Sequence, residues 1–395
     1  MNWIRRKLLE IAYPTYEECG PIELLILQPT EFCNIDCTYC YLRNRNSRSR
    51  MSEETIDASY RLAIESGLAN GPLTIAWHAG EPLTAGLPFY RTAVEKFKSL
   101  APIGLDYRHS IQTNAMLIND EWAAFFKEHD IRVGVSVDGP SFIHDVNRVT
   151  RRGGGTHAAA MQGISYLQKH GVEFHTISVL TRQSLSFPRE ILDFLISIGS
   201  TYICFNVEEI ESHNISSSLS PNDGLDAKDA CRAFFAELMH EVGRAKQPVR
   251  VREIDGALSA IAGWRGQARG VIVGNSQQTH PFKIISVDHQ GGFSSYSPEL
   301  LGESFGEYQS FELGNVHLNS LRDGYESPLF RRLYTDIQRG IDICRKSCGY
   351  YQMCGGGTPA NKLFENGSFV SSTTMFCEMH RKAPIDAALG AFTAV

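Results

Sequence analysis

Six short apolar runs rich in β-branched residues are spread over residues 21 to 210, and a longer helix-like stretch separates each from the next. The runs are IELLILQP (22–29), LTIAWHA (73–79), YRHSIQT (107–113), IRVGVSV (131–137), VEFHTISVL (172–180) and TYICFNV (201–207). Between them EETIDASYRLAIESGLA, GLPFYRTAVEKFKSL, NDEWAAFFKEHD, THAAAMQGISYLQKHG and FPREILDFLISIG read as helices, each ending near a Gly, Asp or Pro. Strand–helix alternation at this spacing implies parallel βαβ units with right-handed crossovers. Six units are too few for a closed eight-fold barrel but suffice for an open, partial (β/α)6 barrel of the α/β class. Active residues are then expected at the C-terminal ends of the strands.

The chain has 395 residues, past the size at which one core usually stops growing, so a smaller unit should accompany the barrel. The polar stretch ESHNISSSLSPNDGLDAKD (211–229) marks the boundary. The expected organisation is an N-terminal segment (1–20), the barrel (21–225), a bridging region (226–330) and a C-terminal cysteine-bearing domain (331–395). That last part shows little helical or strand periodicity, and a segment so small needs a metal or cluster to hold it together. The net charge of −6 argues against a nucleic-acid or anionic-membrane surface. No uncharged apolar run approaches the roughly 18 residues of a membrane span. Glu10 interrupts the one N-terminal stretch that could imitate a signal peptide. A cytoplasmic protein is expected.

Ten cysteines are unevenly placed. Cys19, Cys204 and Cys231 stand alone and read as small buried hydrophobes. The other seven fall in two groups, which in an intracellular protein suggests metal or iron–sulfur ligation over disulfides. Cys33, Cys37 and Cys40 follow the first strand in QPTEFCNIDCTYCYLRNR, with no histidine near to complete a four-ligand zinc site. Three thiolates on a four-iron cluster leave one iron open, whereas structural zinc is normally closed by four protein ligands. Cys344, Cys348, Cys354 and Cys377 supply four thiolates, enough to saturate a cluster or a zinc ion.

The first loop resembles the radical S-adenosylmethionine (SAM) superfamily, in which SAM chelates the open iron. The resemblance implies a [4Fe-4S] cluster on Cys33, Cys37 and Cys40, with Tyr39 beside the adenine. It continues in order along the chain. HAGEPL aligns Gly80 and Glu81 with the superfamily's GGEP turn, where backbone groups hold the SAM ammonium, although Ala79 replaces the first glycine. QTNAML makes Gln112 and Asn114 wall residues of the SAM and substrate pocket. SVDGP places Ser136 and Asp138 at a strand end, with Arg148 expected beside them and Asp138 assigned a catalytic part. Ser178 and Thr176 either face the SAM ribose or sit in the barrel wall. The glycine run at 153–155 lacks a phosphate-loop context and reads as a flexible loop. His78, His109 and His175 read as packed or hydrogen-bonded groups and not as ligands.

The tail, CRKSCGYYQMCGGGTPANKLFENGSFVSSTTMFCEMH, resembles the SPASM extension of radical SAM peptide and protein maturases, in truncated form. The stretch 288–297 lacks the cysteine of that pattern, and Thr358 replaces another. Both absent positions belong to the family's first auxiliary cluster, which implies a single auxiliary [4Fe-4S] cluster on the four remaining cysteines. Being fully ligated, it would serve electron transfer or structure. The tail looks closest to cyclophane-forming maturases of glycine-rich peptides (GrrM/OscB type). That implies an oxidoreductase or peptide cyclase acting on a precursor peptide, with a flavodoxin or ferredoxin-type reductant. Formylglycine formation, epimerisation and thioether formation are the alternatives, with a non-catalytic metal-binding protein more distant. Asp138, Glu208, Glu209 and Asp288 are the acidic candidates for the base. The first twenty residues are too short for a winged-helix leader-binding domain, so leader capture falls to the bridging region or another protein.

Overall fold

The computed structural model describes residues 12–220, 227–246, 248–266 and 276–393. Each apolar run forms a strand within its expected bounds: β1 Leu24–Leu27, β2 Leu73–Trp77, β3 Tyr107–Thr113, β4 Arg132–Ser136, β5 Phe174–Leu180 and β6 Tyr202–Val207. Each pairs in parallel with the next. The crossovers contain α1 Glu53–Ile64, α2 Leu87–Leu100, α3 Asp120–Glu128, α4 Ser141–Asn147, α5 His157–Lys169 and α6 Pro188–Ser197. Local chemistry starts these helices: the Ser52 and Asn119 side chains accept the Thr55 and Trp122 N–H groups, and Pro188 opens α6. Helix α1 then buries Ile56, Tyr60 and Ala63, one stripe at helical spacing, against the sheet.

Strand alternation sorts the side chains by face. Along β5, Phe174, Thr176, Ser178 and Leu180 are buried, while His175, Ile177 and Val179 are less so. Register aligns Gln112 with Gly134, Gly134 with His175, and Val179 with Asn206. Asn206 lines the large interior cavity, so this row is the luminal face of the partial barrel.

The sheet does not end at β1. Strand β7 (Ile284–Val287) pairs in parallel with β1 on the side opposite β2, and β8 (Gly292–Ser295) and β9 (Gly314–Asn315) continue it antiparallel. Among the described residues the order is β6-β5-β4-β3-β2-β1-β7-β8-β9. The segment expected only to bridge thus supplies three strands, after α7 (Ala227–Arg244) and α8 (Arg252–Gly266). Residues 1–11 of the N-terminal segment and the expected boundary at 225/226 lie outside the described residues.

The tail corrects the expectation of irregular structure. After α9 (Leu321–Glu326), which falls in the bridging region, it contains α10 (Pro328–Ser347), α11 (Tyr351–Cys354), α12 (Pro359–Asn366), a π-helical segment Cys377–Lys382 and α13 (Ala383–Thr393). Helix α10 buries Phe330, Leu333, Ile337, Ile341 and Cys344, which repeat every three or four residues within a strongly charged sequence. The charged residues interspersed along the helix hide the stripe. Cys19, Cys204 and Cys231 are buried, as expected. No helix among the described residues is long and apolar enough to cross a membrane.

Candidate active site

The first cysteine loop leaves β1 and is fastened to the segment after α4. The Asp36 and Thr38 N–H groups donate to the Val149 and Asn147 carbonyls at 2.8 and 2.9 Å. The Arg151 guanidinium donates to the Cys33 carbonyl at 2.6 Å, and Arg45 pairs with Asp36 while donating to the Cys37 carbonyl. Beneath the loop lies Gly80, at φ +59°. A Cβ there would stand 2.5 Å from the Phe32 carbonyl oxygen and 2.8 Å from that of Thr30. Only glycine lets the loop lie this close. Ala79 is also left-handed, at φ +72°, a conformation that costs an alanine about 1–2 kcal/mol. Burial pushes the Cys33 thiol up to about 12, with Glu81 and the two neighbouring cysteines adding to it, and pushes Cys37 up to about 11. A bound cation is what would ionise the Cys33 and Cys37 thiols.

Glu81 is 1 % exposed and holds three elements together. Its carboxylate accepts from Leu83 N–H, the Thr113 hydroxyl and Asn114 N–H, and its own N–H donates to the Phe32 carbonyl at 2.7 Å. Asn114 donates to the Asn34 side chain at 2.7 Å, so it ties the end of β3 to the cysteine loop. Gln112 donates to the Ser136 hydroxyl at 2.8 Å on the luminal face.

Asp138 is 2 % exposed and fully engaged. It accepts from the Tyr39 hydroxyl at 2.5 Å and from Val179 N–H at 3.0 Å, and Arg148 Nε lies 3.0 Å away. Arg148 in turn covers the Tyr39 ring at 5.6 Å. The catalytic part expected of Asp138 does not suit this geometry, because its oxygens anchor Tyr39 and Arg148. Of the two places expected for Ser178, the structure takes the wall and not the SAM ribose: it is buried on the outer face and donates to the Val137 carbonyl at 2.6 Å, while Thr176 meets Ser200. Both sit in the barrel wall. His109 is buried and stacks on Trp77, and burial lowers it and His78 to about 4. His175 lies in the luminal row beside Gln112.

The second cysteine group closes around one cavity. Cys344 ends α10, Cys348 caps it, Cys354 ends α11 and Cys377 opens the π-helical segment. All four line the same cavity with Gly356, Gly357 and Thr373. Gly356 is at φ +114° and packs on Ile341.

A second cavity of about 880 Å³ lies alongside, bounded by β1, β6, α8 and the tail. Glu209, Glu211, Glu299, Arg252, Thr358 and Cys354 are among its walls. Thr358, where one expected cysteine is missing, and Ser297, the last residue of the 288–297 stretch that lacks the other, both line this cavity. The Thr358 hydroxyl donates to the Asn361 side-chain carbonyl, whose amide donates to Glu209 at 2.6 Å. Burial, with Glu299 and Glu365 adding repulsion, pushes Glu209 up to about 8 against the Asn361 hydrogen bond. Glu211 is raised for the same reasons. The other base candidates are occupied: Glu208 holds Ser218, and Asp288 holds the turn N–H groups of Gln290 and Gly292. Glu211, Glu299 and the buried Tyr41 hydroxyl, which lies among these carboxylates, were missed in the sequence. The alternation Glu209-x-Glu211 after β6 was the one signal for part of it.

Among the described residues no three His, Cys, Asp or Glu side chains converge tightly enough to hold a single metal ion. The four tail cysteines line one cavity, which suits thiolates held apart around a multi-atom cluster core. Residues 27–195 match the radical SAM superfamily model. An uncharacterised protein of Synechocystis is 37% identical over 376 residues, covering 94% of this chain and 92% of the relative. The chain belongs to the radical SAM superfamily. Radical SAM proteins bind a four-iron cluster and SAM. This one is also 28% identical over 360 residues to the serine-type anaerobic sulfatase-maturating enzyme of Bacteroides thetaiotaomicron, covering 87% of this chain and 84% of that enzyme. Native anSMEcpe with bound AdoMet and Cp18Cys peptide shares the fold at TM-score 0.73 and 21% identity, over 94% of this chain and 98% of that one. Streptococcus suis SuiB bound to its precursor peptide SuiA shares it at TM-score 0.63 and 17% identity, over 91% and 76%.

Proposed function

We propose that this radical SAM protein is a maturase that crosslinks a ribosomally made, glycine-rich precursor peptide, joining a side-chain Cβ to an aromatic ring carbon. The observation that carries the reading is the large cavity beside a four-cysteine site. Thr358 and the end of the 288–297 stretch, the two departures from the two-cluster SPASM pattern, border it, so space that a second auxiliary cluster would fill is open to a peptide.

Cys33, Cys37 and Cys40 hold the cluster that binds SAM, and Cys344, Cys348, Cys354 and Cys377 hold one auxiliary cluster. When bound, these groups supply a hydrogen-abstracting 5′-deoxyadenosyl radical and an acceptor for one electron. Gly80 and the Glu81 backbone set the cysteine loop against the ends of β2 and β3, and Tyr39, fixed by Asp138, flanks it. Gln112, Ser136 and Arg148 offer polar contacts toward SAM. The crosslink removes one hydrogen atom from Cβ, and one proton with one electron from the ring. Glu209, raised to about 8 and facing the cavity, takes the proton. The walls exclude water from the carbon radical. A flavodoxin or ferredoxin-type protein supplies the reductant, and the cytoplasm is the expected setting.

A second reading, formylglycine formation, is favoured by the likeness to the sulfatase-maturating enzymes over most of both chains. Anaerobic co-expression with a glycine-rich candidate precursor peptide separates the two by tandem mass spectrometry. Loss of two hydrogens per ring, with a gap in backbone fragmentation between an aromatic residue and a near neighbour, supports the cyclase. A two-hydrogen loss on a serine that reacts as an aldehyde replaces it with formylglycine chemistry. Purified protein should be brown with about eight irons per chain, and changing Cys33, Cys37 and Cys40 to Ala should abolish SAM cleavage.

A further inference from the structure

Lys362 is 3 % exposed, although lysine is almost never buried unless its charge is paired. It lies in the first turn of α12, with its N–H on the Thr358 carbonyl. Among the described residues no carboxylate forms an ion pair with it. Its partner is the Cys344 thiol, which the Lys362 side chain reaches by a hydrogen bond. Its Cε stands 3.6 Å from where a Cβ on Gly357 would be, and Gly357 lines the cavity enclosed by the four tail cysteines. Two further cations line that cavity: Lys382, which Glu378 already balances, and Arg381, which lies 6.0 Å from the Phe376 ring centroid.

An ammonium buried without a counter-charge costs several kcal/mol. Four thiolates carry more negative charge than an iron–sulfur core carries positive, so the cluster assembly is anionic, and more so once reduced. We propose that Lys362 is the built-in counter-charge of the auxiliary cluster and raises its reduction potential, favouring the form that has accepted an electron. The couple is a one-electron change: an outside reductant such as dithionite gives the electron and the cluster takes it. The inference rests on the reading of Cys344, Cys348, Cys354 and Cys377 as cluster ligands.

The test uses the full chain carrying Cys33→Ala, Cys37→Ala and Cys40→Ala, so that only the auxiliary site can be loaded. About four irons per chain should remain. If none remain, the ligand reading falls and takes this inference with it. On that background Lys362→Met, Lys362→Gln and Lys362→Arg are titrated with dithionite at poised potentials and followed by electron paramagnetic resonance. With iron retained, the Met and Gln variants should show a reduced-to-oxidised ratio lower by about tenfold or more at fixed potential, a shift of about 59 mV for a one-electron couple. The Arg variant should stay near the parent. Loss of iron in the Met and Gln variants but not in Arg also supports a required charge. An unchanged midpoint in Met or Gln with iron intact overturns the proposal, as does loss of iron in all three.

Discussion

Gly80→Ala tests how the cysteine loop is held. The added Cβ would stand 2.5 Å from the Phe32 carbonyl oxygen and must reach about 3.4 Å for ordinary contact, so the loop must retreat by about 0.9 Å. That retreat loosens the 2.7 Å hydrogen bond from Glu81 N–H to the same oxygen. Left-handed alanine costs about 1–2 kcal/mol, overpacking about 1–3 and the weakened hydrogen bond about 1. The total is roughly 3–6 kcal/mol, borne by the loop that carries Cys33. Gly67→Ala is the matched control: it has φ +75° and nothing within 4 Å, so it suffers the backbone strain alone. Both proteins are reconstituted anaerobically, and iron content and denaturant midpoint are measured. Gly80→Ala should lose about half its iron, keep the tail cluster and destabilise by at least 2 kcal/mol more than Gly67→Ala. If it matches the control in both, the account of the close approach is wrong.

Ala79→Gly should stabilise by about 0.5–1 kcal/mol, because relief of the strain at φ +72° outweighs the added freedom of the unfolded chain. A loss of stability in denaturant would count against it. Asp138→Asn should cost about 3–5 kcal/mol by leaving buried Arg148 without its partner. It should also weaken SAM binding by calorimetry, and unchanged binding would remove Tyr39 and Arg148 from the SAM site. A general base works deprotonated, so crosslinking should rise as pH rises through the Glu209 value of about 8. Glu209→Gln should abolish that limb and slow the reaction by about 10²–10⁴, as read from product formed per deoxyadenosine released. A limb that survives assigns the proton elsewhere.

All six parallel strands could be read because each is a short stretch rich in β-branched or aromatic residues between turn-forming residues. The three added strands could not. Ile284–Val287 is four residues long and gains its place by pairing with Leu24–Leu27, some 260 positions earlier, a contact no local pattern signals. Helix α10 was missed because arginines and aspartates are interspersed with the apolar stripe that packs. At the site, Cys344, Cys348, Cys354 and Cys377 line one cavity, and their grouping was legible from spacing. Ser178 was not, because alternation gives two faces without saying which is luminal. Asp138 drew a catalytic assignment because its neighbours in sequence are a strand end and a turn. Its partners Tyr39, Arg148 and Val179 come from three other places in the chain.

The Thr358 substitution shows what losing a ligand can give in return. A cysteine there would direct its sulfur to a metal. The threonine hydroxyl instead donates to Asn361, and Asn361 donates to Glu209, so the vacated position becomes the first link in the support of a carboxylate. That support opposes burial and keeps Glu209 from rising further. Thr358→Val would remove the hydroxyl at nearly constant volume and free Asn361 to turn, and the pH limb assigned to Glu209 should then move upward. Thr358→Ser keeps the hydroxyl and should leave the limb in place. If both variants share the parent's profile, the Thr358–Asn361–Glu209 chain does not set the base, and the cavity's carboxylates act independently of the substituted position.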